Sequence, residues 1–259
     1  MRSFLFLLCL FLLCLFLLCV CSAIPLSGES ALHSSAPPPV FQVSTEESSV
    51  PDESALPEVP PYAPLLDVPL LCQYPALPTG CEAVAATMVL QYYGLEISPE
   101  TFAANYLPCS TDFYSYGGKD YGPDPNASFA GDPFSAYAYG CFAPVIATAV
   151  KNTPFRLTAE CITGLTLEAL CETYVANGAP VLIWATTGMR EMKTGNAWYL
   201  PNGTLFTWPS GEHCYVLLGE NEDFFFFADP QTGNAVGYRK DVSERRFQSL
   251  GSSAVYIHP

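Results

Sequence analysis

The sequence predicts an α+β domain, with helices first and an antiparallel sheet after them. Three observations carry this: an apolar helical period after residue 81, short β-branched and aromatic runs after residue 178, and Gly/Asn/Asp turn signals between those runs. At 259 residues, 50% of them hydrophobic, the chain has enough apolar material for one sizeable core plus extra segments.

Two segments precede that domain. Residues 1–23 hold one arginine, an unbroken apolar run from Phe4 to Cys21, and then Ser22 and Ala23. This reads as a secretory signal cleaved after Ala23. The run exceeds the usual h-region of about 7–15 residues, so an uncleaved N-terminal anchor is the alternative. Lipid attachment at Cys19 or Cys21 is disfavoured by the bulky Leu18 and Val20 before them. Either way the domain is expected outside the cytosol, secreted or anchored, with membrane contact only through this segment. Residues 24–64 are rich in proline, serine and glutamate and sustain no apolar period, so a disordered spacer is expected.

The domain proper is expected over residues 65–259. In "CEAVAATMVLQYYG", Val84, Ala85, Met88, Val89 and Tyr92 give one helical face, and Gly94 ends it. "SPETFAANY" is a short helix with Ser98 as N-cap and Pro99 at its first position. Residues 109–140, rich in Gly, Tyr and Asp, read as a long structureless loop that walls a functional cleft. "APVIATAVKN" and "TLEALCETYVANG" are helices, the second capped by Thr166 and closed by Gly178. Strands follow: "PVLIWATT", then the hairpin "AWYLPNGTLFTW" about Asn202-Gly203. "HCYVLLGE" and "DFFFFADP" join through a turn at 221–223. "NAVGYRK" and "SAVYIHP" flank a helix near "SERRFQSL".

A net charge of −15 argues against nucleic-acid binding. Seven of the eleven cysteines lie beyond the leader, and if Cys81 is kept free, the other six either form bridges or stay as small buried thiols. Cys72, Cys214 and His213 raise the question of zinc, but no CxxC spacing supports it, so neither metal nor cofactor is expected. Trp184 and Trp208 read as sheet packing, and Glu82 as a first-turn dipole stabiliser.

Four residues fit one chemistry. Cys81 opens a helix, whose positive end favours thiolate over thiol. His213 starts a strand and can exchange a proton with it as a thiolate–imidazolium pair. Asp229 ends the following antiparallel strand, which brings it close to His213 and lets it fix the ring's tautomer. Gln73, upstream of Cys81, can donate its amide N–H to an oxyanion. Each has a bland reading: a lone histidine is usually packed or exposed, and Asp before Pro is a common turn opener.

The segment "QYPALPTGCEAVAATMVLQYYG" resembles the active-site segment of the C-39-like peptidases, relatives of the bacteriocin-leader (double-glycine) peptidases in the papain superfamily. The likeness continues through "DPNASFAGDPFSAYAYGCFAPVIATA", "PVLIWATT", "EHCYVLLGE" and "DPQTG". It implies a papain-like fold with Cys81 as nucleophile, His213 as base, Asp229 as orienter and Gln73 as oxyanion donor, acting on a peptide or protein. No transmembrane bundle and no GxxxxGK[ST] loop accompany these motifs, so leader processing coupled to export is not expected. A free-standing exported hydrolase is. The alternatives are an amidase or endopeptidase of cell-wall peptide, and a catalytically silent module that binds a ligand through the Tyr-rich loop.

Overall fold

The computed structural model of the protein describes residues 65–259. The expected signal segment and spacer lie outside the described residues. Five α-helices and twelve strands are present among those described. Helix α1 (Cys81–Tyr92) is buried on every side from Cys81 to Leu90. A helix apolar all round belongs inside a core, not on its surface. The one-faced helix expected from the sequence is therefore a central one, and Met88→Ala there costs about 2–5 kcal/mol.

Helix α2 (Pro99–Asn105) starts as expected: Ser98 accepts the N–H of Thr101, and Pro99 sits in the first turn. Helix α3 (Ala143–Asn152) packs beside α1. Thr166 caps helix α4 (Leu167–Thr173) by accepting from Ala169 N, and a 3-10 turn then ends at Gly178 with φ of 81°. Helix α5 (Lys240–Ser249) lies between the last two strands in sequence.

The main sheet has six strands, all paired antiparallel. In spatial order they are β11 (Asn234–Arg239), β10 (Phe224–Asp229), β9 (Glu212–Glu220), β6 (Val181–Thr186), β12 (Ser253–His258) and β5 (Thr158–Thr163). Period-two alternation divides β9 between two cores. Cys214, Val216 and Leu218 face α1, α2 and α3, while Tyr215 and Leu217 face α4 and α5. Strand β6 does the same with Leu182 and Trp184 against Val181, Ile183 and Ala185. Both faces are covered, which is why "PVLIWATT" shows no polar alternation.

Residues 109–140 are not the structureless loop expected. They contain β1 (Cys109–Ser110), β2 (Tyr114–Tyr116), β3 (Lys119–Tyr121) and β4 (Phe129–Ala130). Gly117 and Gly118, both at positive φ, form the turn between β2 and β3, and β3 adds in parallel to β7 (Lys193–Tyr199). With β8 (Leu205–Ser210) these make a separate four-stranded sheet. Its inner face carries an aromatic cluster around Trp198, Phe206 and Trp208. No helix among the described residues is long and apolar enough to cross a membrane.

Candidate active site

Cys81 is the first residue of α1, and the residue before it has to be glycine. A Cβ on Gly80 would lie 2.9 Å from Leu77 Cβ. The turn leading in is tightened by Leu77 N donating to Gln73 O and Gly80 N donating to Leu77 O. Gly80 offers no side-chain cap, so the first-turn N–H groups of α1 keep their positive field.

Gln73 is fixed at both ends of its residue. Its backbone N–H donates to Pro230 O at 2.8 Å, which ties it to the turn after β10. Its Nε2 donates to Pro78 O at 2.8 Å, leaving a second N–H on the same nitrogen. Gln73 is 5% exposed, and its Oε1 is buried without a hydrogen-bond partner.

His213 and Asp229 meet because β9 and β10 are neighbours. Nε2 of His213 lies 2.7 Å from Oδ1 of Asp229, and both residues are buried. Asp229 also accepts from Gln231 N and from the Thr232 hydroxyl. Burial opposes its ionisation, but the His213 hydrogen bond and charge, with these two donors, outweigh it and hold the carboxyl below its ordinary range. The carboxylate accepts from Nε2–H of His213, which leaves Nδ1 as the ring nitrogen that can face the thiol.

The other side of Cys81 was not foreseen. The Cys81 thiol donates to Glu82 Oε2 at 3.3 Å, and no hydrogen bond joins it to His213 among the described residues. Alternation on β9 gives the reason: Glu212 and Cys214 point toward α1, whereas His213 shares its face with Tyr215. Glu82 is not a solvated dipole partner. It is fully buried, and its Oε1 accepts from Cys141 N at 2.6 Å. Glu212 is half-buried as a residue, but its Oε1 is shut from solvent without a partner. A Cβ on Gly140 would collide with Glu82 Oε1 at 2.5 Å and crowd Glu212 Oε2 at 3.2 Å.

These acids reverse the expectation of a low thiol pKa. Burial first, and then the charges of Glu82 and Glu212 and the neighbouring Cys214, push Cys81 well above the ordinary thiol range. Burial likewise raises Glu82 to about 7, against the Cys141 N–H, and lifts Glu212 above the usual carboxylate range, helped by Glu82. The thiol at rest is neutral.

Gln73, Cys81, Glu212 and His213 line one cavity of about 160 Å³, with Tyr139 and Gln231 on its wall. Trp184 is buried in the main sheet and donates Nε1–H to Cys141 O. Trp208 stands in the aromatic cluster with its ring next to Gly140. All seven cysteines among the described residues are free thiols. The Cys81 sulfur and one oxygen each of Glu82 and Glu212 lie within 4.8 Å of one another, the only grouping with metal-ligand spacing among the described residues. Its thiol already donates to its carboxylate.

Residues 65–255 match the model of the Peptidase_C39 like family. The uncharacterized protein YvpB of Bacillus subtilis (strain 168) is 28% identical over 194 residues, covering 74% of this chain and 75% of that protein. The crystal structure of a protein described as a C39-like peptidase from Bacillus anthracis is similar at 26% identity and a TM-score of 0.64. The match covers 74% of this chain and 95% of that one.

Proposed function

The chain belongs to the Peptidase_C39 like family, and from that premise we propose that it is an exported cysteine peptidase using Cys81, His213, Asp229 and Gln73. The observation that carries the reading is a hydrogen-bonded His213–Asp229 pair opening on the same cavity as a thiol at an uncapped helix N-terminus. Because the thiol at rest is neutral, His213 works as a general base and not as half of a standing ion pair. On substrate binding the S–H turns from Glu82 toward His213 Nδ1. Sγ then bonds to the carbonyl carbon as its proton passes to the ring.

The displaced carbonyl electron pair forms an oxyanion, which takes hydrogen bonds from the Cys81 backbone N–H and the second N–H of Gln73 Nε2. As the C–N bond breaks, His213 returns its proton to the leaving amine, and a thioester on Cys81 remains. Water attacks the thioester, giving a proton to His213, and the thiol is restored as the acid departs. Asp229 keeps its charge throughout and stabilises the imidazolium in both halves.

The test is hydrolysis of an unbiased peptide mixture, read by mass spectrometry, with the wild-type chain and Cys81→Ala. New termini that appear with wild type and vanish with Cys81→Ala support the reading. Identical peptide patterns in the two samples remove it. Export rests on residues 1–23, and recovery from the medium of a chain beginning at Ile24 supports cleavage there. Recovery from the cytosol alone removes this part of the proposal.

A further inference from the structure

The aromatic concavity beside the catalytic cavity is a distinct feature of the four-stranded sheet. It encloses about 650 Å³ and is walled by Phe113, Tyr114, Tyr121, Tyr137, Tyr139 and Trp198. Tyr139 lines this space and the Cys81 cavity alike, so one side chain borders both. Most of the walls are fixed. Tyr114 and Tyr121 stack with centroids 5.1 Å apart, Phe113 and Trp198 both pack on Tyr139, and Asn196 Nδ2 donates to the Tyr139 hydroxyl. Tyr137, by contrast, is 96% exposed. Of the ten large apolar side chains left exposed among the described residues, three line this concavity, Phe113, Tyr114 and Tyr137. Rings held in place yet uncovered, concentrated on one concave face, mark a binding surface.

The charged group on that face is Asp120. Its Oδ1 accepts from the Ser115 hydroxyl, and among the described residues it has no ion-pair partner. Residues 109–140 hold four aspartates against one lysine, in a chain whose net charge is −15. That lysine shows what the rings here can do: Lys119 Nζ sits 4.5 Å over the ring of Tyr199, outside the concavity. Ring faces with an unpaired carboxylate attract a cation doubly, through the ring quadrupole and through charge. A neutral apolar occupant uses only the rings, and an acidic one meets Asp120 and the field of the whole chain.

We infer that this concavity is a specificity subsite for a lysine or arginine side chain of the substrate peptide, held between Asp120 and the surrounding rings a short distance along the chain from the scissile bond. It rests on the peptidase reading for the word substrate, but not for the binding itself. The ammonium or guanidinium lies against Asp120, whose cross-strand neighbour is Ser115, while its aliphatic stem covers Phe113 and Tyr137, which lowers the exposure of both rings. Basic peptides are also drawn to the acidic face before they dock, so association is faster at low salt.

The test separates binding from turnover by using the full chain with Cys81→Ala. Two fluorescent peptides that differ only in lysine against norleucine are titrated by anisotropy, at low and at high salt. The lysine peptide is expected to bind about tenfold more tightly, with a preference that shrinks in salt. Asp120→Asn should abolish most of this preference and Tyr137→Ala part of it. Both sites are exposed, so the fold is not at risk. Equal binding of the two peptides, or a preference that Asp120→Asn leaves intact, overturns the subsite. The wild-type chain is then given the peptide mixture. Cleavage with no enrichment of basic residues near the cut overturns the subsite and leaves the peptidase standing. Lysine-dependent binding with no cleavage of any peptide upholds the subsite and removes the peptidase.

Discussion

Cys81 lies between two groups of buried carboxyls that behave in opposite ways. On the β10 side, Asp229 has an imidazole, a backbone N–H and a hydroxyl around its oxygens, and it is held charged. On the α1 side, Glu82 accepts from the Cys141 N–H and the Cys81 thiol, Glu212 Oε1 has no partner, and burial holds both acids toward neutrality. The residue class is the same, but Glu82 and Glu212 are the more deeply desolvated and Asp229 has the stronger donors beside it. Desolvation and donors together decide the charge. The difference assigns work: the charged side can stabilise an imidazolium, and the neutral side can hold a thiol proton without leaving a bare charge beside the nucleophile.

That contrast can be tested one side at a time. The largest effect is expected for His213→Ala, which removes the base the charged side supports and should lower turnover about 10³-fold or more. If turnover survives within tenfold, the β10 side is scaffolding only. Gln73→Ala belongs to neither side and should cost about 10²–10³ in kcat with little change in KM or melting temperature. A loss confined to KM would make Gln73 a substrate contact and not an oxyanion donor. Asp229→Asn keeps a hydrogen-bond acceptor for His213 but removes the charge. A fall of about 10–10²-fold is expected, the scale of losing an outer hydrogen-bond partner. A variant as inactive as Cys81→Ala would mean that the carboxylate does more than orient and stabilise the ring.

Glu82→Gln is expected to have the smallest effect on turnover, within about tenfold, because the amide can still accept from Cys141 N–H. Its signature lies in the pH dependence. A charged Glu82 raises the Cys81 pKa, and Glu82 is charged only above about pH 7. Replacing it should therefore speed thiol alkylation above that pH and change little below it. Acceleration that is uniform across pH would place the cause in altered access, not in charge.

Much of this fold is legible in the sequence because its signals are local. Ser98-Pro99, Thr166 and Gly178 mark helix ends without any tertiary knowledge, and the α+β order follows from the change of period. His213 and Asp229 are found by counting across two strands joined by a short turn. The missed elements are those whose signal is short or not local. Strand β5 has burial with no clean alternation, since it is an edge strand paired only with β12. The β2–β3 hairpin rests on three-residue strands, although Gly117-Gly118 is a turn signal that could have found it. Glu82 reads as an ordinary first-turn acid until α1 is known to be buried all round. Nothing beside it announces Glu212, which comes from more than a hundred residues away. The neutral thiol follows from that pairing and so could not be read from helix position alone.

The measurement that tests these opposed carboxyls most directly is the pH–rate profile of iodoacetamide alkylation at Cys81. The labelled peptide is identified by mass spectrometry in wild type, His213→Ala and Glu82→Gln. The expected result has three parts: slow wild-type labelling at pH 6 with a rise only on the alkaline side of an ordinary thiol, a similar acid limb in His213→Ala, and a Glu82→Gln profile moved to lower pH. Fast wild-type labelling at pH 6 that His213→Ala abolishes would contradict it, because a thiolate–imidazolium pair would then stand in the resting enzyme and the acids beside Cys81 would not govern its charge.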